Sequence, residues 1–238
     1  MTGLRITRSL VGPTLRATRQ IPLLVGATLA AALVVAPAAG GTDLDVGSWA
    51  GLLRFAAMIA ALGVTFVLDD PSAATTSVLP VSRALRYALR VAVAVPASVL
   101  GWLAAATAGH QVAVSHVSTP LRLPALTLEA ATIFVLAVAI TVGVARLRPD
   151  GSIGVVAAPV YLIVVGALYA LPGRAALFVA TTSAQWDEVH QIWGLLLIVS
   201  TSAAFLLARE PASRRRRGHP RVGNQTIRSD DPRVNAIS

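Results

Sequence analysis

Cysteine and lysine are both missing from this 238-residue chain. Without cysteine it has no disulfide, no thiol nucleophile and no thiolate metal site. Without lysine it lacks a Walker A phosphate loop, which needs a Gly-Lys pair, so ATP chemistry is expected only in another chain. Charge is scarce too. Asp, Glu, Lys and Arg make up 13% of the residues against 55% hydrophobic, where a soluble domain carries roughly a quarter charged residues. A chain this poor in charge belongs to the membrane class, as a single membrane domain with no room for a large soluble one.

The charge that is present is one-sided. All 20 basic residues are arginines, and the net charge is +9. This arginine-only, Ala/Val-rich usage points to a high-GC bacterial genome and to the bacterial plasma membrane.

The stretch 49–90 organises the rest. Residues 49–68 are an apolar run, long enough as a helix to cross a hydrocarbon core of roughly 30 Å. It stops at Asp69-Asp70-Pro71, two charges and a residue that resists continuing a helix. A polar stretch follows, and residues 81–90 then place Arg83, Arg86 and Arg90 at i, i+3 and i+7. Helical spacing sets these guanidiniums on one face and Ala84, Leu85, Ala88 and Leu89 on the other. The pattern is span, charged amphipathic connector, span. Such a connector is either a grip for a soluble partner or an interfacial helix that anchors the span.

Residues 1–20 form a basic N-terminal segment with Arg5, Arg8, Arg16 and Arg19. The run 21–39 reads as a first span; its basic flank and the small residues Ala36-Pro37-Ala38-Ala39 also resemble a cleaved signal. Further spans are expected at 91–108, 126–147, 153–171 and 192–208, with a polar loop over 109–125 and a semi-apolar external stretch over 172–190. From Arg209 a basic tail carries Arg214–Arg217. It reads as disordered and as a topology signal with affinity for anionic lipid rather than nucleic acid.

Orientation follows from the arginines. With both termini cytoplasmic, 17 of the 20 lie inside, as the positive-inside rule requires. Trp49, Trp102, Trp186 and Trp193 then fall toward the outer side and read as an interfacial belt. The fold expected is all-α: a 21–208 domain of six transmembrane helices between two cytoplasmic termini.

Arg54 and Glu129 are the charges placed inside spans, at similar depth below the outer surface. Intramembrane charges are costly and usually face protein or a cavity. The two are candidates for an ion pair, either structural or lining an outer vestibule; the alternative is separate snorkelling to the surface. His110 and His116 lack a third ligand at metal spacing. Intramembrane hydrolysis would need a base buried beside serines such as Ser98 or Ser200, and the spans as drawn contain no histidine. No cofactor is expected.

These features resemble the ABC-2-type permeases, the membrane subunits of bacterial ABC exporters. The likeness covers residues 1–208. It rests on the basic segment before span 1, six spans, the charged connector between spans 2 and 3, and the external stretch between spans 5 and 6. RFAAMIAALGVTFVLDDP and TLEAATIFVLAVAITVGVARLRPDG are similar to high-GC bacterial members of that family. The resemblance implies a non-enzymatic permease subunit that forms a homodimer or heterodimer and couples to a separate ATPase. It also implies an elbow helix within 1–20 and an ATPase-coupling segment containing Asp69, Asp70, Pro71, Arg83, Arg86 and Arg90. The competing class is a non-transporting scaffold or accessory subunit of a larger membrane complex.

Overall fold

The computed structural model describes residues 20–42, 44–69, 83–116, 121–148 and 152–209. The basic segment 1–19, the connector residues Asp70 and Pro71, and the tail beyond 209 lie outside the described residues. Every regular element among the described residues is helical. They are α1 (Gln20–Ala39), α2 (Val46–Val64), α3 (Arg83–His116), α4 (Leu123–Leu147), α5 (Ile153–Tyr169), a single 3₁₀ turn (Gly173–Ala175) and α6 (Trp186–Ala208). Five of them, α1 to α4 and α6, are long and apolar enough to cross a membrane. At 17 residues, α5 extends about 25 Å and falls short of a hydrocarbon core of roughly 30 Å.

Local chemistry sets the ends. The α1 helix closes where Gly41 takes a positive φ of 63°, a conformation glycine adopts at no steric cost. Asp45 caps α2, accepting a 3.0 Å hydrogen bond from the Ser48 amide. Its bonds to Ser48 hold the carboxyl below the usual carboxylate range. The sequence places the second span at 49–68. Instead the helix begins at this cap and leaves α geometry after Val64, where Thr65, Phe66 and Val67 bond three residues back and tighten the chain toward Asp69.

The largest departure from expectation is α3. The connector from Arg83 onward and the third span are one helix of 34 residues, which also absorbs the first part of the expected 109–125 loop. Pro96 lies inside it without ending it, as membrane helices allow.

Packing divides the helices into two trios. In the first, α1, α2 and α3 contact one another; in the second, α4 packs against both α5 and α6. The seam between the trios is chiefly α2 against α4. Small residues make the first trio tight. Ala56, Ala57, Ala60 and Ala61 are buried along α2. Where α1 crosses α2, a Cβ on Gly63 would lie 2.9 Å from the Pro22 carbonyl oxygen and 3.2 Å from Leu23 Cα. Close backbone approach of this kind is how helices associate in lipid, where hydrophobic burial offers little drive. The outward faces stay apolar, with Leu24 and Leu29 on α1, Leu162 and Ile163 on α5, and Leu195 and Ile198 on α6 all exposed.

The tryptophans differ from the sequence reading. All four are buried within the protein rather than arrayed toward lipid. Trp102 Nε1 donates to the Leu53 carbonyl at 3.0 Å and Trp193 Nε1 to the Leu177 carbonyl at 3.1 Å. A buried indole needs such an acceptor, and here each one fastens a neighbouring segment.

Candidate functional site

Arg54 lies two turns into α2 and Glu129 nearly two turns into α4. The α2–α4 seam brings them together. Arg54 Nε donates to Glu129 Oε2 at 2.7 Å and Nη2 to Oε1 at 2.8 Å. This is a two-pronged pairing that only the planar guanidinium can make. Glu129 is 1% exposed and Arg54 10%. At that burial each charge needs the other, since an unpaired ion there would carry its whole desolvation cost.

The remaining prong reaches the stretch between α5 and α6, the one expected from the sequence to be external. Arg54 Nη1 donates to the Val179 carbonyl at 3.0 Å. The guanidinium carbon lies 5.6 Å from the Phe178 ring centre and 5.7 Å from that of Trp186, within cation–π range. Arg54 is therefore roofed by residues 178–186 and does not snorkel. A chain of rings, Phe55, Tyr169, Phe178 and Trp193, runs beside it at centroid spacings of 6.1, 5.3 and 5.2 Å. These contacts fold 172–185 over the end of the bundle at which α2, α4 and α6 begin.

A third ionisable group, His190, completes the cluster. Its helix, α6, starts at Trp186 rather than at residue 192, so the histidine belongs to the bundle and its side chain is 10% exposed. Nε2 lies 3.0 Å from Glu129 Oε1, though off the line of a straight hydrogen bond. Nδ1 lies 2.7 Å from the Trp186 carbonyl oxygen, and the ring stacks on Trp186 with centroids 4.2 Å apart. On the rim, Arg122 stands 5.5 Å from the Trp186 ring centre and 3.6 Å from Asp187. Both rim charges are exposed, so that pair contributes little.

The sequence signal for His190 was its place four residues after Trp186, one helical turn on, in a stretch read as external loop. With that start of α6 recognised, a largely enclosed histidine does exist within the bundle, near the start of α6. It still has no nucleophile, because no hydroxyl joins its ring among the described residues. Ser98 and Ser200 are bonded back to the carbonyls of Ala94 and Leu196 within their own helices. The cluster can hold α2, α4, α6 and the external stretch together, and it can exchange a proton.

The coupling candidates separate. Asp69, expected on a docking surface, is 5% exposed. Its Oδ1 accepts a 2.6 Å hydrogen bond from the Gly154 amide in the first turn of α5, so it caps that helix from another element. A side chain at Gly154 would not fit, because a Cβ there would lie 2.8 Å from Asp69 Oδ2 and 3.0 Å from Phe66 Cα. Arg90 is 4% exposed and donates from Nη1 to the Asp69 carbonyl oxygen at 3.2 Å. Asp69 and Arg90 thus tie the ends of α2, α3 and α5 to each other. Arg83 and Arg86 fall in the first turn of α3. At the same end of the bundle, Arg146 reaches from α4 to the carbonyl oxygens of Leu206 and Arg209, closing the end of α6.

Comparison of the chain with protein-family models, with curated proteins and with solved structures finds no match.

Proposed function

We propose that the chain is the membrane-spanning permease subunit of an ABC-type exporter in a bacterial plasma membrane. It works as a dimer and is driven by a separate ATP-hydrolysing subunit on the cytoplasmic side. In this reading α5 also crosses, as span 5, which makes six spans in all, and both termini are cytoplasmic. The arginine distribution supports that orientation, and the exposed apolar face of α5, with Val155, Leu162 and Ile163, asks for lipid. The packing of α1 against α2 and α3 supports keeping residues 21–39 as a span rather than as a cleaved leader.

The observation that carries the reading is the continuity of α3. A helix of 34 residues is about 51 Å long, some 20 Å more than the hydrocarbon core. Its apolar part is Tyr87–Gln111, which in this reading leaves Arg83 and Arg86 at the cytoplasmic end of the same helix. A partner bound there pulls on the helix that crosses the core, whose hydrogen-bond ladder is interrupted at Pro96. Arg90 and Asp69 carry the same displacement to α2 and to the start of α5.

Affinity purification of the tagged full chain in mild detergent, with identification of the bound chains, tests this reading. An ATP-binding cassette subunit in stoichiometric amount is the expected companion. Recovery instead with a non-ATPase membrane complex would make the chain a scaffold or accessory subunit.

A further inference from the structure

A neutral imidazole has one N–H and one bare lone pair, so it can satisfy one acceptor and must face one donor. His190 faces two acceptors. Nδ1 is 2.7 Å from the Trp186 carbonyl oxygen and Nε2 is 3.0 Å from Glu129 Oε1. Whichever tautomer a neutral ring adopts, one of its lone pairs is pressed against an oxygen. Only the imidazolium, with a proton on each nitrogen, meets both. The oblique approach of Nε2 fits this as well: attraction between opposite charges tolerates misalignment that a neutral hydrogen bond does not.

We propose that His190 is a proton-binding site, and that the proton held there closes the outer end of the bundle by strapping the first turn of α6 to Glu129 on α4. The charged groups around the ring are few. Arg54 faces it from α2 and Glu129 from α4; Arg122 stands on the far contact of Trp186, and Asp187 and Glu188 are exposed on α6 itself. Among the described residues of the external stretch, the group that enters the cluster is an uncharged carbonyl, that of Val179. The carboxylate lies between two cations. Removing the proton leaves the two-pronged Arg54–Glu129 pair neutral and intact, and releases one contact of the α6 strap. The external stretch follows, because Trp186 stacks on the ring and Trp193, two turns along α6, holds the Leu177 carbonyl. The site thus has a closed, protonated state and a looser, deprotonated one. It depends on the outer cluster alone and needs no ATPase.

The absence of cysteine makes this directly measurable. Val179→Cys places a thiol under the roof, at a position 9% exposed, and Ala184→Cys places one on the exposed part of the same stretch. Each full-length variant in mild detergent is labelled with a small uncharged thiol reagent between about pH 5.5 and 8, the range in which histidines titrate. The ratio of the two rates removes most of the common effect of thiol ionisation. It should rise about tenfold across that range, the scale of one charged hydrogen bond, and stay flat when both carry His190→Gln. A second background, His110→Gln with His116→Gln and His219→Gln, leaves His190 as the single histidine and should keep the full rise. A flat ratio in the parent protein overturns the proposal. So does a rise that survives His190→Gln, or one that disappears in the single-histidine background.

Discussion

Replacing Glu129 by Gln keeps the shape of the side chain and removes its charge. The structure says what is then stranded. Arg54 loses its counter-charge and one of the two prongs, since the Gln amide offers one acceptor oxygen where the carboxylate had two. It retains the Val179 carbonyl and two aromatic faces, beneath a roof that leaves its side chain 10% exposed. Removing one partner of a buried pair costs roughly 3–5 kcal/mol, and the whole of that range is expected here because His190 loses its carboxylate at the same time. Arg54→Gln is the milder change, at about 2 kcal/mol, since Glu129 keeps His190 as a neighbour. Removing both charges leaves no stranded ion, so the double variant should be less destabilised than the two singles added together, with a coupling energy of about 2 kcal/mol. The charge swap, Arg54→Glu with Glu129→Arg, should recover part of the loss only, because an arginine at 129 is offered neither the Val179 carbonyl nor the Phe178 face that Arg54 uses. Equilibrium unfolding of the four purified proteins in mixed micelles gives the cycle. A coupling energy indistinguishable from zero would mean the pair does not hold the seam, and the account of the outer cluster would be wrong.

The glycine contacts predict opposite signs at similar residues. Gly154→Ala and Gly63→Ala should each cost about 1–3 kcal/mol through overpacking, whereas Gly166→Ala, with no atom within 4 Å of the added carbon, should be neutral or slightly stabilising; thermal unfolding in detergent distinguishes them. Asp69→Asn removes the charged cap of α5 and should lower stability by about 1 kcal/mol, while leaving capture of a soluble partner unchanged because Asp69 is buried. Reporter fusions after Arg148 and after Arg209 should read cytoplasmic, and fusions near Asp45 and Asp187 external. An external reading after Arg209 would remove the six-span topology.

The helices were legible in the sequence because apolar runs of spanning length leave little choice of structure in lipid. Their ends were less so. Asp45 marked a start that the apolar run alone placed three residues later, and Trp186 opened a helix that seemed to begin only at Ile192. In both places the first turn is partly polar, so hydropathy drops before the helix ends. The joining of connector and span in α3 was invisible for a related reason. A change from charged to apolar residues marks a change of surroundings, and the backbone can run straight through it.

In the Arg54–Glu129–His190 cluster, Arg54 and Glu129 stood out by scarcity, as charges where charge is rare. His190 did not, because a histidine beside Asp187 and Glu188 looks like exposed loop until the helix phase turns it inward. Asp69 and Arg90 hid their bonds in the opposite way. Charges at a helix exit suggest a docking surface, and the sequence carries no sign that these two also bond a backbone amide of Gly154 and a backbone carbonyl of Asp69. Sequence patterns of side chains do not register bonds to the main chain. For the tryptophans, position along a span predicted depth in the membrane but not the direction each ring faces.

The proposed coupling of α3 to an ATPase is tested most directly by reversing the charges at its Arg83 end. Tagged wild type and the Arg83→Glu/Arg86→Glu variant are expressed alongside the ATP-binding subunit that co-purifies with the wild type, and the captured ATPase is quantified against permease of equal abundance and unchanged helicity. Interfacial charge reversal sets like against like at the docking surface, so the account predicts loss of most of the bound ATPase with the permease still inserted. Undiminished capture by the double variant would contradict it.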